Sequence, residues 1–144
     1  MVGRSTLKFR TRRNIAEIPA EYISRPAGRA RVATAEACAL MLTSDLDMSG
    51  GIDNAATVIV ELAESKRIKE SKLIETAAIF PLSAVRRTGW ILDNFVPDFT
   101  TNSLARMCKD VGTGPSFLTT HVTEEGKFDK KWSLIINRKV EPDI

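Results

Sequence analysis

The sequence predicts a single α+β domain in which a block of four to five helices packs on a small sheet built from N- and C-terminal strands. Apolar residues at helical spacing fill the middle of the chain, whereas residues 6–32 and 116–137 carry shorter, alternating patterns. Strands that cluster at the chain ends, instead of alternating with helices, are typical of α+β folds rather than wound parallel sheets. We expect the domain to span residues 1–144, with residues 1–5 as a flexible arm.

The first element is a set of strands and turns over residues 6–32. Apolar and polar residues alternate irregularly there, and Pro19, Pro26 and Gly28 are typical of turns. The stretch 29–34 alternates Arg, Ala, Arg, Val, Ala and Thr. This alternation predicts a short strand with both arginines on one face.

Five helices follow, each predicted from apolar spacing and from a residue suited to its first turn. The predicted first-turn residues are Thr34, Asp53 and Ser71 as N-caps, Pro81 at the start of the fourth helix, and Thr101 or Asn102 for the fifth. Gly89 falls on the apolar face of the fourth helix, where glycine costs about 1 kcal/mol relative to alanine. We therefore expect Gly89 to pack closely against another backbone.

The chain returns to strand after the break at residues 112–115. Residues 116–119 predict a strand, and residues 124–126 predict a polar turn. From Trp132 to Asn137 apolar and polar side chains largely alternate, which predicts a half-buried strand.

Composition restricts the class of protein. The 144 residues are 43% hydrophobic and 27% charged, enough to bury a core. No stretch reaches the roughly 18 apolar residues of a membrane helix, and the basic N-terminus does not resemble a signal peptide. Cys38 and Cys108, the two cysteines, favour a reduced cytoplasmic setting and are interpreted as small core residues rather than nucleophiles.

The sequence predicts no catalytic residue, no metal site and no cofactor. His121 is the one histidine, so a His-rich metal site cannot be built and a Ser-His-Asp triad would depend on that residue. The Gly-Thr-Gly-Pro stretch at 112–115 lacks the Lys-Ser/Thr of a phosphate loop. Asp45 and Asp47 lack the spacing of a calcium loop.

Charge is distributed unevenly along the chain. Residues 1–33 hold eight basic and two acidic side chains, whereas residues 34–144 hold thirteen basic and sixteen acidic ones. Arginine suits phosphate because its planar guanidinium can donate two parallel hydrogen bonds. The candidate phosphate-binding residues of this segment are Arg10, Arg12, Arg13, Arg29 and Arg31. A solvated strand edge, which discourages aggregation, is the alternative.

Arg86 and Arg87 are candidates for an extension of that surface. Adjacent helix positions point about 100° apart, so both can flank the apolar stripe of the fourth helix. A solvated helix face, or a salt bridge to an acidic neighbour, is the alternative.

The order of several short motifs resembles the C-terminal domain of AbiEi-type antitoxins. The motifs are the Thr-Ala-Glu-Ala start at Thr34, the Gly-Gly-Ile-Asp break at 50–53, the Arg-Arg-Thr-Gly-Trp-Ile-Leu run at 86–92, and the closing stretch from Trp132 to Asp143. The basic opening Phe-Arg-Thr-Arg-Arg at 9–13 also resembles the Arg-rich strand of that family. The order and spacing of the motifs carry the resemblance, because none is diagnostic alone.

The resemblance implies a bacterial type IV toxin–antitoxin, or abortive-infection, module whose antitoxin regulates its own transcription and counteracts a nucleotidyltransferase-like toxin. In the family an N-terminal winged helix reads the operator, whereas this chain begins at the Arg-rich strand. The implied role is therefore a non-enzymatic antitoxin domain with a basic face that contacts DNA or RNA phosphates.

Two other functions stay open at the level of sequence. A protein-interaction module could dock an acidic partner, or an oligomer mate, on the basic face. An enzyme of nucleic-acid metabolism would need His121 to face a cleft beside a carboxylate.

Overall fold

The computed structural model describes residues 18–25, 28–111, 114–120 and 125–144. These ranges contain five helices: α1 (Ala35–Ser44), α2 (Ile52–Glu64), α3 (Glu70–Ala77), α4 (Leu82–Phe95) and α5 (Asn102–Val111). They also contain the strands β1 (Ala20–Arg25), β2 (Gly28–Ala33), β3 (Ser116–Phe117), β4 (Lys127–Asp129) and β5 (Leu134–Ile136). The predicted α+β class is confirmed.

The described strands form two separate sheets. β1 and β2 pair as an antiparallel hairpin, from Ala20 opposite Ala33 to Arg25 opposite Gly28. In the other sheet the order is β3-β5-β4, with β5 parallel to β3 and antiparallel to β4. Within the described ranges the N- and C-terminal strands therefore lie in separate sheets, whereas the sequence had predicted one small sheet built from both ends of the chain. Each sheet pairs strands from one end of the chain, because the helical block separates the two ends.

Helix α4 is buried along its whole middle section, from Ala84 to Leu92. It packs against α1, α2, α5 and β3. Its polar side chains must therefore find partners inside the protein. Thr43 of α1 meets this need, because its hydroxyl donates to the Ala84 carbonyl at 3.0 Å and lies 2.9 Å from the Thr88 hydroxyl.

Of the N-caps predicted at Thr34, Asp53 and Ser71, the first is confirmed and the other two are wrong. The Thr34 hydroxyl accepts a hydrogen bond from the Ala37 amide at 3.2 Å, as predicted for α1. Helix α2 begins at Ile52 after Gly51, whose φ of 95° favours glycine, and it has no side-chain cap. Asp53 instead contacts the C-terminal segment, where it accepts from Arg138.

Two further helices are capped by carboxylates from other helices. Ser71 does not cap α3, because that helix begins at Glu70, and the amide of the preceding Lys69 donates to Glu36 of α1 at 2.8 Å. Glu70 in turn accepts from the amides of Ser103 and Leu104 at the start of α5. Helix packing supplies these caps, so local sequence cannot reveal them.

Gly89 packs against an aromatic ring rather than against a backbone. The Trp132 indole covers it, and a Cβ at position 89 would overlap that ring. The indole is also fixed one turn further along α4, because its Nε1 donates to Asp93 at 2.8 Å. Asp93 also pairs with Lys131 at 2.8 Å. The absence of a side chain at Gly89 thus leaves space for the Trp132 indole to pack in the core between α4 and the C-terminal sheet.

A side-chain amide extends the pairing of β3 with β5. The Asn137 carbonyl oxygen accepts from the Thr119 amide at 3.1 Å, and its amide nitrogen donates to the Thr119 carbonyl at 3.0 Å. Asn137 therefore substitutes for one residue of main-chain pairing beyond the end of β5.

Some sequence predictions fall outside the described ranges. These are the predicted arm at residues 1–5, the predicted strands and turns over residues 6–17, and the position of His121. Among the described residues, no helix combines the length and apolar character that crossing a bilayer requires.

We predict that Gly89→Ala destabilises the protein by about 2–3 kcal/mol, because the added methyl group displaces the packed indole. Urea unfolding followed by tryptophan fluorescence measures the change. Gly114→Ala is the matched control, since a Cβ there meets nothing within 4 Å. Equal stability of the two variants would contradict the packing account.

Candidate nucleic-acid interface

The β1–β2 hairpin carries two of the arginines singled out in the sequence. Arg29 lies opposite Ser24 and Arg31 opposite Tyr22 in the strand register. Positions 29 and 31 are two residues apart in one strand, the spacing that places residues on the same face. Arg10, Arg12 and Arg13 lie outside the described residues.

The loop from α2 to α3, together with the first turn of α3, contributes cations that the sequence analysis missed. Lys66, Arg67, Lys69 and Lys72 are all exposed. Among the described residues the first three form no ion pair, and Lys72 pairs with Glu75 at 3.4 Å. Four cations within seven positions were a signal available from sequence, but the excess charge of residues 1–33 obscured it.

Backbone hydrogen bonds fix the path of this loop. Lys66 has a φ of 63°, and its amide donates to the Ala63 carbonyl, while the Arg67 amide donates to the Leu62 carbonyl. These bonds form the Schellman motif that ends many helices, in which the left-handed position is usually glycine. Ile68, which is buried, anchors the loop to the core.

A groove of about 410 Å³ lies between the base of the hairpin and this loop. It is lined by Pro19, Glu21, Thr34, Glu36, Arg67, Lys69, Lys72, Glu75 and Thr76. Glu36 is buried and its carboxylate is occupied by the Lys69 amide. The exposed rim therefore presents cations from the loop beside the carboxylates of Glu21 and Glu75.

Arg86 and Arg87 lie inside the protein, not on the exposed helix face expected from the sequence. Their exposed fractions are 4% and 6%. Arg87 donates from Nε to the Phe117 carbonyl at 2.9 Å and from Nη1 to the Thr43 carbonyl at 2.8 Å. Arg86 donates from Nη1 to Ser116 Oγ at 2.8 Å and to the Gly114 carbonyl.

The physical reason is that α4 is surrounded, so its arginines cannot reach water and donate to carbonyls instead. Burial also lowers the pKa of Arg87 from its ordinary value. Even so, a guanidinium stays charged at neutral pH. We therefore assign both arginines to the packing of α4 and leave them out of the basic surface.

The possible metal ligands of the described residues do not cluster. No group of three or more His, Cys, Asp or Glu side chains among them could hold a metal ion. Cys108 is buried in the core, as predicted, whereas Cys38 is half-buried. Burial raises the pKa of Cys108 to about 11, against the smaller opposing effect of Arg86, and it also raises the pKa of Cys38.

Comparison with known protein families gives a match over the larger part of the chain. The family model of the AbiEi antitoxin C-terminal domain matches residues 2–94 of the 144. This span includes the hairpin, α1, α2, α3 and nearly all of α4, and it ends before α5 and the C-terminal sheet. The resemblance seen in the sequence is thereby confirmed over that span. Searches of curated proteins and of solved structures found no significant match.

We predict that Arg87→Ala lowers the free energy of unfolding by about 3 kcal/mol or more, because it leaves the buried Thr43 carbonyl and the half-buried Phe117 carbonyl without their donor. Arg87→Lys should retain part of this stability, since one ammonium cannot donate in both directions. Urea unfolding measures both variants. Arg106→Ala, at an exposed arginine of α5, is the matched control and should stay within about 0.5 kcal/mol of the native chain. An equally small effect at position 87 would contradict a structural role.

We also predict that Cys108 resists alkylation. A pKa raised from 9.0 to about 11 leaves roughly a hundredfold less thiolate at pH 8 than an unperturbed cysteine has. The pKa of Cys108 is higher in the folded protein than in the unfolded chain. The protonated thiol therefore contributes fully to the free energy of unfolding below pH 9, and this contribution is lost as the pH rises towards 11. Mass spectrometry after iodoacetamide treatment should show Cys38 modified before Cys108, and the reverse order would refute the assignment.

Proposed function

The chain belongs to the AbiEi antitoxin C-terminal domain family, and from this premise we propose that it is a non-enzymatic antitoxin domain that binds nucleic-acid phosphates through its basic surface. Family membership gives the chain a toxin–antitoxin role. The proposal adds that the system is of type IV, that the domain acts in the bacterial cytoplasm, and that its functional partner is a nucleotidyltransferase-like toxin. The chain is proposed to act as one domain.

The observation that carries the nucleic-acid part is the loop from α2 to α3. We define the basic surface as Arg29 and Arg31 of β2 together with Lys66, Arg67 and Lys69 of that loop, with Arg10, Arg12 and Arg13 as further members. The three loop cations are exposed and form no ion pair within the described ranges. Clustered cations without partners attract polyanions and release counterions when phosphate binds.

Lys66 supports this proposal in a second way. Its left-handed backbone is one that glycine adopts without strain and lysine does not. A lysine at the end of α2 therefore costs stability relative to glycine. A binding role for its charge accounts for lysine at this position.

The basic surface is proposed to contact phosphates without reading bases. Phosphate contacts position a protein on nucleic acid, whereas sequence is read at base edges within the grooves. Autoregulation of transcription would then need a further base-reading element.

The mixed rim of the groove favours a second candidate function, docking of a protein partner. Glu21 and Glu75 lie beside Arg67 and Lys69. Carboxylates repel nucleic acid but can pair with cations of a protein, so a rim of both signs suits a partner of complementary charge pattern.

We predict that Arg29→Ala and Arg31→Ala each weaken binding to duplexes of unrelated sequence by a similar factor. Each should also reduce the slope of log affinity against log salt by roughly one. Fluorescence anisotropy at several salt concentrations measures both quantities. Arg12→Ala and Arg13→Ala should each weaken binding and reduce the salt slope to the same extent as Arg29→Ala and Arg31→Ala. Lys139→Ala is the control, because Lys139 pairs with Glu141 near the opposite end of α2.

The proposal loses its mechanism if all four arginine variants keep the native affinity and salt slope. A pull-down from nuclease-treated lysate then tests the second function. A partner that survives nuclease supports protein docking, whereas a partner lost with nuclease supports nucleic acid.

We further predict that Lys66→Gly separates stability from binding. The change should raise the free energy of unfolding by up to about 1 kcal/mol, since glycine relieves the left-handed strain. It should at the same time weaken nucleic-acid binding and reduce the salt slope by roughly one. Unfolding and anisotropy on the same preparation measure both effects. A more stable variant with unchanged binding would remove Lys66 from the basic surface.

A further inference from the structure

Strand β4 forms one edge of the C-terminal sheet. Within the described ranges its one strand neighbour is β5, on its inner side. In an antiparallel ladder the hydrogen-bonding groups alternate in direction, so part of the β4 backbone faces away from β5, towards a side where the described residues supply no strand. Phe128, at the centre of β4, is 53% exposed. An open strand edge that carries an exposed aromatic residue is suited to pairing with a strand of another molecule.

This edge is held firmly in the fold. Gly126 lies so close to the Ile136 carbonyl that a Cβ would overlap it, which brings the start of β4 tightly against β5. At the other end of β4, Asp129 Oδ1 accepts from the Trp132 amide at 3.0 Å. Trp132 is fully buried. A fixed edge needs little ordering when a partner strand adds to it.

The three residues of β4 are complementary to themselves. An antiparallel pairing of two β4 strands about Phe128 places Lys127 opposite the partner's Asp129, and by symmetry Asp129 opposite the partner's Lys127. Lys127 and Asp129 lie two positions apart, so their side chains share a face, while Phe128 meets the partner's Phe128 on the other face.

The charges needed for this pairing are available. Lys127 is exposed and forms no ion pair in the part of the chain that the structure describes. The second carboxylate oxygen of Asp129 has no hydrogen-bond partner there either. We propose that β4 pairs with β4 of a second copy of this chain, forming a homodimer with one continuous sheet of six strands.

The proposal stands apart from the nucleic-acid function. Strand β4 lies beyond the span that the family model matches. The main competing occupant is single-stranded nucleic acid, because Phe128, Ile135 and Phe117 align across the sheet and bases stack on aromatic rings. We favour a second copy, since Asp129 would repel a phosphate backbone but completes the pairing of two strands.

We predict that the nuclease-treated chain shows a reversible monomer–dimer equilibrium in sedimentation velocity between about 10 µM and about 1 mM, as expected for an interface of small area. Lys127→Asp should weaken the dimer at least roughly tenfold, because both ion pairs become repulsive. Asp129→Lys should do the same.

Mixing the two variants provides the decisive test. In the mixed dimer one chain carries carboxylates at positions 127 and 129 and the other carries ammonium groups at both, so opposite charges face each other twice. The mixture should therefore dimerise about as tightly as the native chain, and at least roughly tenfold more tightly than either variant alone. Lys139→Asp, a charge reversal at an exposed lysine away from β4, should leave dimerisation unchanged.

Circular dichroism checks that each variant is folded. A monomeric native chain, a dimer indifferent to Lys127→Asp, failure of the mixture, or a dimer lost on nuclease treatment would each overturn the proposal.

Discussion

The buried guanidinium of Arg87 is the interaction on which the packing of this protein depends. It donates to a carbonyl at the end of α1 and to a carbonyl of β3, and so connects the helical block to the C-terminal sheet through α4. Only arginine among the side chains combines a permanent charge with a planar set of donors that can serve two carbonyls in different directions. Because the middle of α4 is buried, Arg87 must donate to partners inside the protein, since a buried charge without partners would cost several kcal/mol.

Carboxylates complete the same pattern from the helix ends. Glu36 caps the start of α3, and Glu70 caps the start of α5, so each helix in the series fixes the beginning of another. A carboxylate at a helix N-terminus satisfies free amides and also faces the positive end of the helix dipole. The buried polar groups are therefore structural, and the charges that we propose to bind partners lie at the surface, in the loop from α2 to α3 and on the edge strand β4.

These two surfaces differ in kind. The loop presents cations on an irregular backbone, which suits a polyanion recognised by charge and tolerant of geometry. The edge strand presents one aromatic residue between a cation and an anion on a regular backbone, which suits a partner strand of defined register. The two surfaces that we propose thus lie in different parts of the fold, the charge-dependent one near the N-terminal hairpin and the geometry-dependent one in the C-terminal sheet.

The sequence by itself determined the α+β class, the approximate position of all five helices, the Thr34 cap and the family, because periodicity, capping chemistry and motif order are local signals. Tertiary structure decided the rest. It placed an indole rather than a backbone over Gly89, paired Asp53 with the C-terminal segment, and buried Arg86 and Arg87, which the sequence had suggested for the surface. Local spacing shows that a residue can flank an apolar stripe, but whether that flank meets water or another element depends on helices distant in the chain.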